Sequence, residues 1–233
     1  MGKNRYGFLF KLAQKVVQIL IPRYNFEGPP IKDKPVVYIS HHQNMAGPLS
    51  ILAWINFYVR TWVLSEFTER EATYRHYRDF TFSRRCGWPD WLAKLIAWPA
   101  SYLVPGILNA GDAIPVYRKS RRIMETMKIS HEALMKGESI LIFPDVDYSS
   151  DSKMTSDIYQ GFLHLEKRYF KETKEHLTFV PLLADSNHNT VRMGKEISFT
   201  GRETFINERE KIAGEIKDEL NRLAQAETDL VNN

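Results

Sequence analysis

Five short runs of β-branched and aliphatic residues recur along the chain: PVVYIS at 35–40, TWVLSEF at 61–67, AIPVYR at 113–118, SILIFP at 139–144 and LTFVPLLA at 177–184. The segments 48–59, 119–136 and 158–170 stand among them with helical spacing. Parallel neighbours in a sheet need a crossover of a dozen or more residues, usually a helix, whereas antiparallel ones are joined by tight turns. The alternation therefore predicts an α/β fold, a mostly parallel central sheet flanked by helices. ISFTG at 197–201 is a further strand candidate, and 205–226 reads as a charged amphipathic helix. Gly137 is placed to close the helix before it as a C-cap. Ligands of such sheets sit beyond the carboxyl ends of strands, so the loops at 41–47, 117–119 and 145–152 are where a site belongs.

Two segments stand outside this alternation. Residues 4–21 keep Phe8, Leu9, Leu12, Val16, Ile19 and Leu20 at helical spacing, with Lys3, Arg5, Lys11 and Lys15 alongside and Pro22 limiting the helix. Two roles stay open: docking on its own domain, or lying in a membrane interface with the basic residues at the headgroups. The domain division is accordingly 1–24, an amphipathic membrane-associating helix, and 25–233, the α/β domain. The second segment, 91–108, is the most apolar of the chain and is interrupted by Pro99 and Pro105. It reads as a kinked core helix or as a surface that meets lipid. No run of about 20 unbroken apolar residues is present, so a spanning helix is not expected. Lys11, Gln14 and Lys15 break the N-terminal run, which argues against a signal peptide.

With 233 residues the chain can bury a sizeable core, and a net charge of +4 suits anionic partners. Cys86 is the single cysteine, so no internal disulfide forms, in keeping with a reducing compartment. The arginine-rich stretch 70–85 is interleaved with Glu71 and Asp79 and follows Glu69, so no nucleic-acid partner is expected. His41 and His42 are neighbours on an extended segment and point opposite ways, and the other five histidines show no ligand spacing with them. No metal is expected.

HHQNMAGPLS at 41–50, GDAIPVYR at 111–118, FPDVDYSS at 143–150, YQGFLHLE at 159–166, FVPLLAD at 179–185 and MGKEISF at 193–199 resemble, in order and spacing, the motif blocks of the glycerophospholipid acyltransferases of the lysophosphatidate type. The resemblance covers about residues 1–202. In that family the first block pairs a histidine with an aspartate five residues on. Here His42 falls on the histidine and Gly47 on the aspartate. Arg118 falls on the arginine of the second block. Phe143, Pro144 and Ser149 match the third, where Asp145 replaces a glutamate, Asp147 a threonine and Tyr148 an arginine. Gly161 matches the glycine after it, and Pro181 the fourth block.

The resemblance implies a glycerol-3-phosphate acyltransferase-like fold and a transfer of an acyl group from acyl-CoA or acyl-carrier protein to the hydroxyl of a lysophospholipid or related acceptor. His42 is the general base, and the second- and third-block loops hold the acceptor. Neither a cofactor nor a metal is needed, because a thioester is already activated. A neutral imidazole takes a proton near neutral pH, and arginine suits phosphate. Gly47 cannot orient a histidine, so the acid must come from another loop, with Asp145 and Asp147 as candidates. His41 stands as a loop histidine or as a partner to His42. Tyr148, Ser149, Asn44, Gly161 and Arg118 are the candidate acceptor-binding residues. The alternative is a non-catalytic lipid-binding relative. A monomer attached peripherally to the cytoplasmic face of a membrane is expected.

Overall fold

The computed structural model describes residues 5–28, 31, 33–43, 45–146, 154–155 and 157–231. Eight strands among them form one sheet: β1 (Asn25–Glu27), β2 (Val36–Ser40), β3 (Val59–Leu64), β4 (Ile114–Val116), β5 (Ser139–Ile142), β6 (Thr178–Asp185), β7 (Thr190–Met193) and β8 (Ile197–Ser198). Their order is β1-β7-β6-β2-β5-β3-β4, with β8 also on β6. Five pairings are parallel, and the two of β6 with β7 and β8 are antiparallel. The α/β expectation holds: this is a mostly parallel sheet flanked by helices.

β2 lies near the middle and is buried along its whole length. A strand buried on both faces needs no polar alternation, which is why VVYIS is almost continuously apolar. Val37 and Ile39 enter one core with Leu134 of α5 (Ile123–Met135), Leu165 of α6 (Leu165–Thr173) and Ile216 of α7 (Phe205–Val231). Val36 and Tyr38 enter the other, with Ile51 of α2 (Ala46–Trp54) and Ile55 just beyond it. Gly137, at φ +74°, ends α5 with its N–H on the Leu134 carbonyl. Pro181 is tolerated deep in the sheet because its ring faces the gap where the neighbour of β6 changes from β8 to β7. Its carbonyl there accepts the Gly194 N–H at 2.8 Å.

Sequence patterning assigned no element to residues 67–94. They wind into α3 (Arg70–Arg75) and a ten-residue π-helix (His76–Arg85), followed by α4 (Asp90–Ala110). Polar and basic residues all round gave these turns no apolar stripe to read; they are held instead by packing on α4. Patterning also gives no signal for β1 and β7, which are short and bury few side chains.

The exposed faces of α1 (Phe8–Leu20) and α4 are inverted relative to a soluble helix. On α1, Gln14 and Gln18 turn inward and donate to the Leu52 and Ala53 carbonyls, while Phe8, Leu12, Val16, Ile19 and Leu20 face out, Phe8 and Ile19 more than four-fifths exposed. On α4, Ala93, Ala97, Ser101 and Pro105 face the domain, and Trp91, Leu95, Trp98 and Tyr102 point away. The two helices meet: the Gly7 N–H donates to the Ala110 carbonyl at 2.7 Å, and Leu9 packs on Gly106. By length and composition α4 is apolar enough to cross a membrane, at a mean hydropathy of 1.2. It is nevertheless part of the crossover between the parallel neighbours β3 and β4, so both of its ends are tied to one sheet.

Candidate active site

β2 and β5 are parallel neighbours in register at Ile39 and Ile142, so their extensions leave the sheet side by side at its carboxyl end. On the first extension stand His41 and His42; Pro144 and Asp145 stand on the second. The Asp145 carboxylate joins them. Oδ1 lies 2.5 Å from His41 Nδ1, and Oδ2 accepts the backbone N–H of His42 at 2.7 Å. His41 and Asp145 are both buried, at 4% and 3% exposure. A carboxylate removed from water is tolerated when its oxygens are hydrogen-bonded, and here both are.

The His42 ring is half-buried, with its edge against Phe143 at 5.7 Å between centroids. Burial lowers its pKa below the ordinary 6.5. The Asp145 charge opposes that, and the neighbouring His41 and Arg118 add to it. The ring is therefore neutral at pH 7, the state that can accept a proton.

Gly47 lies in the first turn of α2 and closes against this loop. Its N–H donates to the His42 carbonyl at 3.2 Å. A Cβ at this position would stand 2.4 Å from the His41 carbonyl oxygen and 3.0 Å from that of His42. Both backbone polar groups of His42 are thus held, the N–H by Asp145 past β5 and the C=O by Gly47 of α2.

Arg118, two residues past β4, is exposed; its guanidinium rests over the Tyr159 ring at 4.8 Å from the centroid. Tyr159 is itself fixed by its N–H on the Pro144 carbonyl at 2.8 Å. Gly161 lies exposed in the 3₁₀ turn Gln160–His164 with nothing within 4 Å of where a Cβ would stand. Of the residues singled out in the sequence, the structure brings together His41, His42 and Asp145, with Arg118 near enough for its charge to act on His42. Asn44, Asp147, Tyr148 and Ser149 lie outside the described residues. Tyr159 and Phe143 were not singled out as site residues; the signal for Tyr159 was its place two residues before Gly161. Two open clefts lie along α4, one lined by Arg70, Tyr74, Arg75 and Trp98, the other by Leu9, Trp98, Tyr102 and Leu103. Neither includes the histidine loop, so the site is located by its chemistry.

Fold and site together define a parallel-sheet α/β domain with a neutral histidine and a buried His–Asp pair at the carboxyl ends of two adjacent strands. A solved protein shares that fold. The crystal structure of the 1-acyl-sn-glycerophosphate (LPA) acyltransferase PlsC from Thermotoga maritima is similar over 92% of this chain and 78% of that one, with a TM-score of 0.57 and 11% sequence identity. No family model matches the sequence, and no curated protein matches it.

Proposed function

We propose that the protein is an O-acyltransferase that moves a fatty acyl group from acyl-CoA or acyl-carrier protein to the hydroxyl of a lysophospholipid or related acceptor. The observation that carries this reading is the neutral histidine loop, braced by Asp145, at the strand ends of a fold that an LPA acyltransferase also uses. His42 takes the proton of the acceptor hydroxyl as its oxygen attacks the thioester carbonyl. The C–O bond forms, the C–S bond breaks, and the proton passes to the leaving thiolate. Arg118, held open on Tyr159, attracts the acceptor's phosphate.

In this reading the reaction takes place at a membrane surface on the cytoplasmic side. The outward apolar faces of α1 and α4 are its docking surface, with the exposed Lys11 and Lys15 at anionic headgroups. The protein attaches peripherally, as a monomer, with residues 1–24 as the membrane-associating part. A second reading, a lipid-binding relative without chemistry, is favoured by one observation, the glycine at position 47.

Wild type and His42→Ala, each given mixed lysolipids with long-chain acyl-CoA and acyl-carrier protein, separate the two by product mass. A diacyl product from wild type, lost in the variant, is the expected result. Lipid binding by both with transfer by neither would favour the second reading.

A further inference from the structure

We propose that Asp145 and His41 form the positioning pair of this site, in place of an acid at position 47, and that they act through His42. The inference deepens the acyl-transfer reading, but its first test needs no acyl substrate.

Three observations carry it. Asp145 spends its two oxygens on different parts of the loop, the His41 ring and the His42 amide, at 2.5 and 2.7 Å. It therefore fixes the backbone that aims the His42 ring. The pair is also inaccessible to solvent, so the carboxylate charge acts on its neighbourhood with little screening. That charge favours the imidazolium of His42, the form that appears when the ring takes a proton. An orienting acid does the same in other His–Asp systems. The third observation is Gly47. α2 approaches the loop so closely that no side chain fits at 47 without backbone movement, and that approach lets the Gly47 N–H hold the His42 carbonyl. The absence of an acid at 47 and the close approach of α2 to the loop are two sides of the same packing. His41, pointing opposite to His42 on an extended segment, holds the carboxylate.

Among the described residues, the groups whose charge acts on His42 are Asp145, His41 and Arg118, and of these only Asp145 favours its protonated form. Asp145→Asn keeps the shape and removes the charge. With the full chain, histidine ring resonances are titrated by NMR in wild type, Asp145→Asn and Asp145→Glu, with thermal unfolding to confirm folding. The expected result is a further fall of the His42 pKa in the Asn variant and a smaller change in the Glu variant. In the transfer assay kcat falls by about 10²–10⁴, the scale of losing an orienting carboxylate's charge, while KM for both substrates stays within about threefold, and Glu restores part of kcat. A merely structural brace would move stability and leave the His42 titration of a folded variant where it was. An unchanged titration in a folded Asn variant overturns the proposal, as does an unchanged kcat. If the Asn variant does not fold, Asp145→Ser, which also removes the charge, carries the same test, and an unmoved His42 titration there overturns the proposal. If wild type transfers no acyl group while the titration moves as expected, the acyl-transfer reading fails and the positioning pair stands.

Discussion

At position 47 an added Cβ would press on two carbonyl oxygens of the histidine loop, the nearer at 2.4 Å. Gly47→Asp, the change that restores the acid where the acyltransferase motif carries it, is therefore expected to damage the protein. Overpacking of this kind costs about 1–3 kcal/mol, and the new carboxylate would face carbonyl oxygens. Urea denaturation should show the loss of stability, and acyl transfer should fall rather than rise. The pH profile follows from His42. A base must be unprotonated, so activity is present above its pKa and lost as pH falls through it. Because burial holds that pKa down, the acidic limb of kcat/KM should lie below pH 6.5. A limb well above that value would mean that another group is titrating. His41, His42 and Asp145 were legible in the sequence as chemistry-bearing residues at strand ends. Their contact was not, since the bond between His41 and Asp145 spans 104 positions. Tyr159 was hidden for the same reason: its partner Arg118 belongs to another strand's loop.

α1 and α4 show what helical periodicity can and cannot say. It located α1, because an apolar stripe at that spacing survives whichever way it faces, while 91–108 stood out only as the most apolar segment, open to a kinked core helix or a lipid-facing surface. It could not say that the stripe faces outward, which is decided by Gln14 and Gln18 finding carbonyl partners on the domain and by small residues of α4 fitting closely against it. Ile19→Glu combined with Trp98→Glu should reduce flotation with anionic vesicles at least tenfold. Both side chains are exposed, so thermal stability should move little, within about 0.5 kcal/mol. Undiminished flotation of the double variant would remove the docking role from these faces.

Over the whole molecule, α7 closes one face of the sheet and is pinned by two buried carboxylates. Glu219 accepts the Lys195 N–H at 2.9 Å and two donors of Arg222 at 2.8 Å, and the Arg222 bonds hold its pKa down at about 2. Glu208 takes the backbone N–H groups of Thr200, Gly201 and Arg202, and its pKa is lowered chiefly by the Thr200 hydroxyl. A carboxylate with a depressed pKa contributes stability above its ordinary value and loses it as pH falls toward the folded one. For Glu219 that window runs from about 4.5 down to about 2. Glu219→Gln should destabilise by about 1–3 kcal/mol at pH 7 and flatten the acid limb of stability over that window, measured by urea unfolding against pH.

The sequence by itself determined the layered α/β class, because continuous apolar strands separated by helices can bury themselves only in a mostly parallel sheet covered on both faces. It also picked out the loops at the carboxyl ends of the strands, since strand direction decides which ends share a rim. Only the tertiary structure decided which carboxylate serves the histidines, which faces of α1 and α4 remain open, and why residue 47 is glycine. Each of these depends on groups far apart in the chain meeting within a few ångströms, and such approaches are set by packing, which local pattern does not encode.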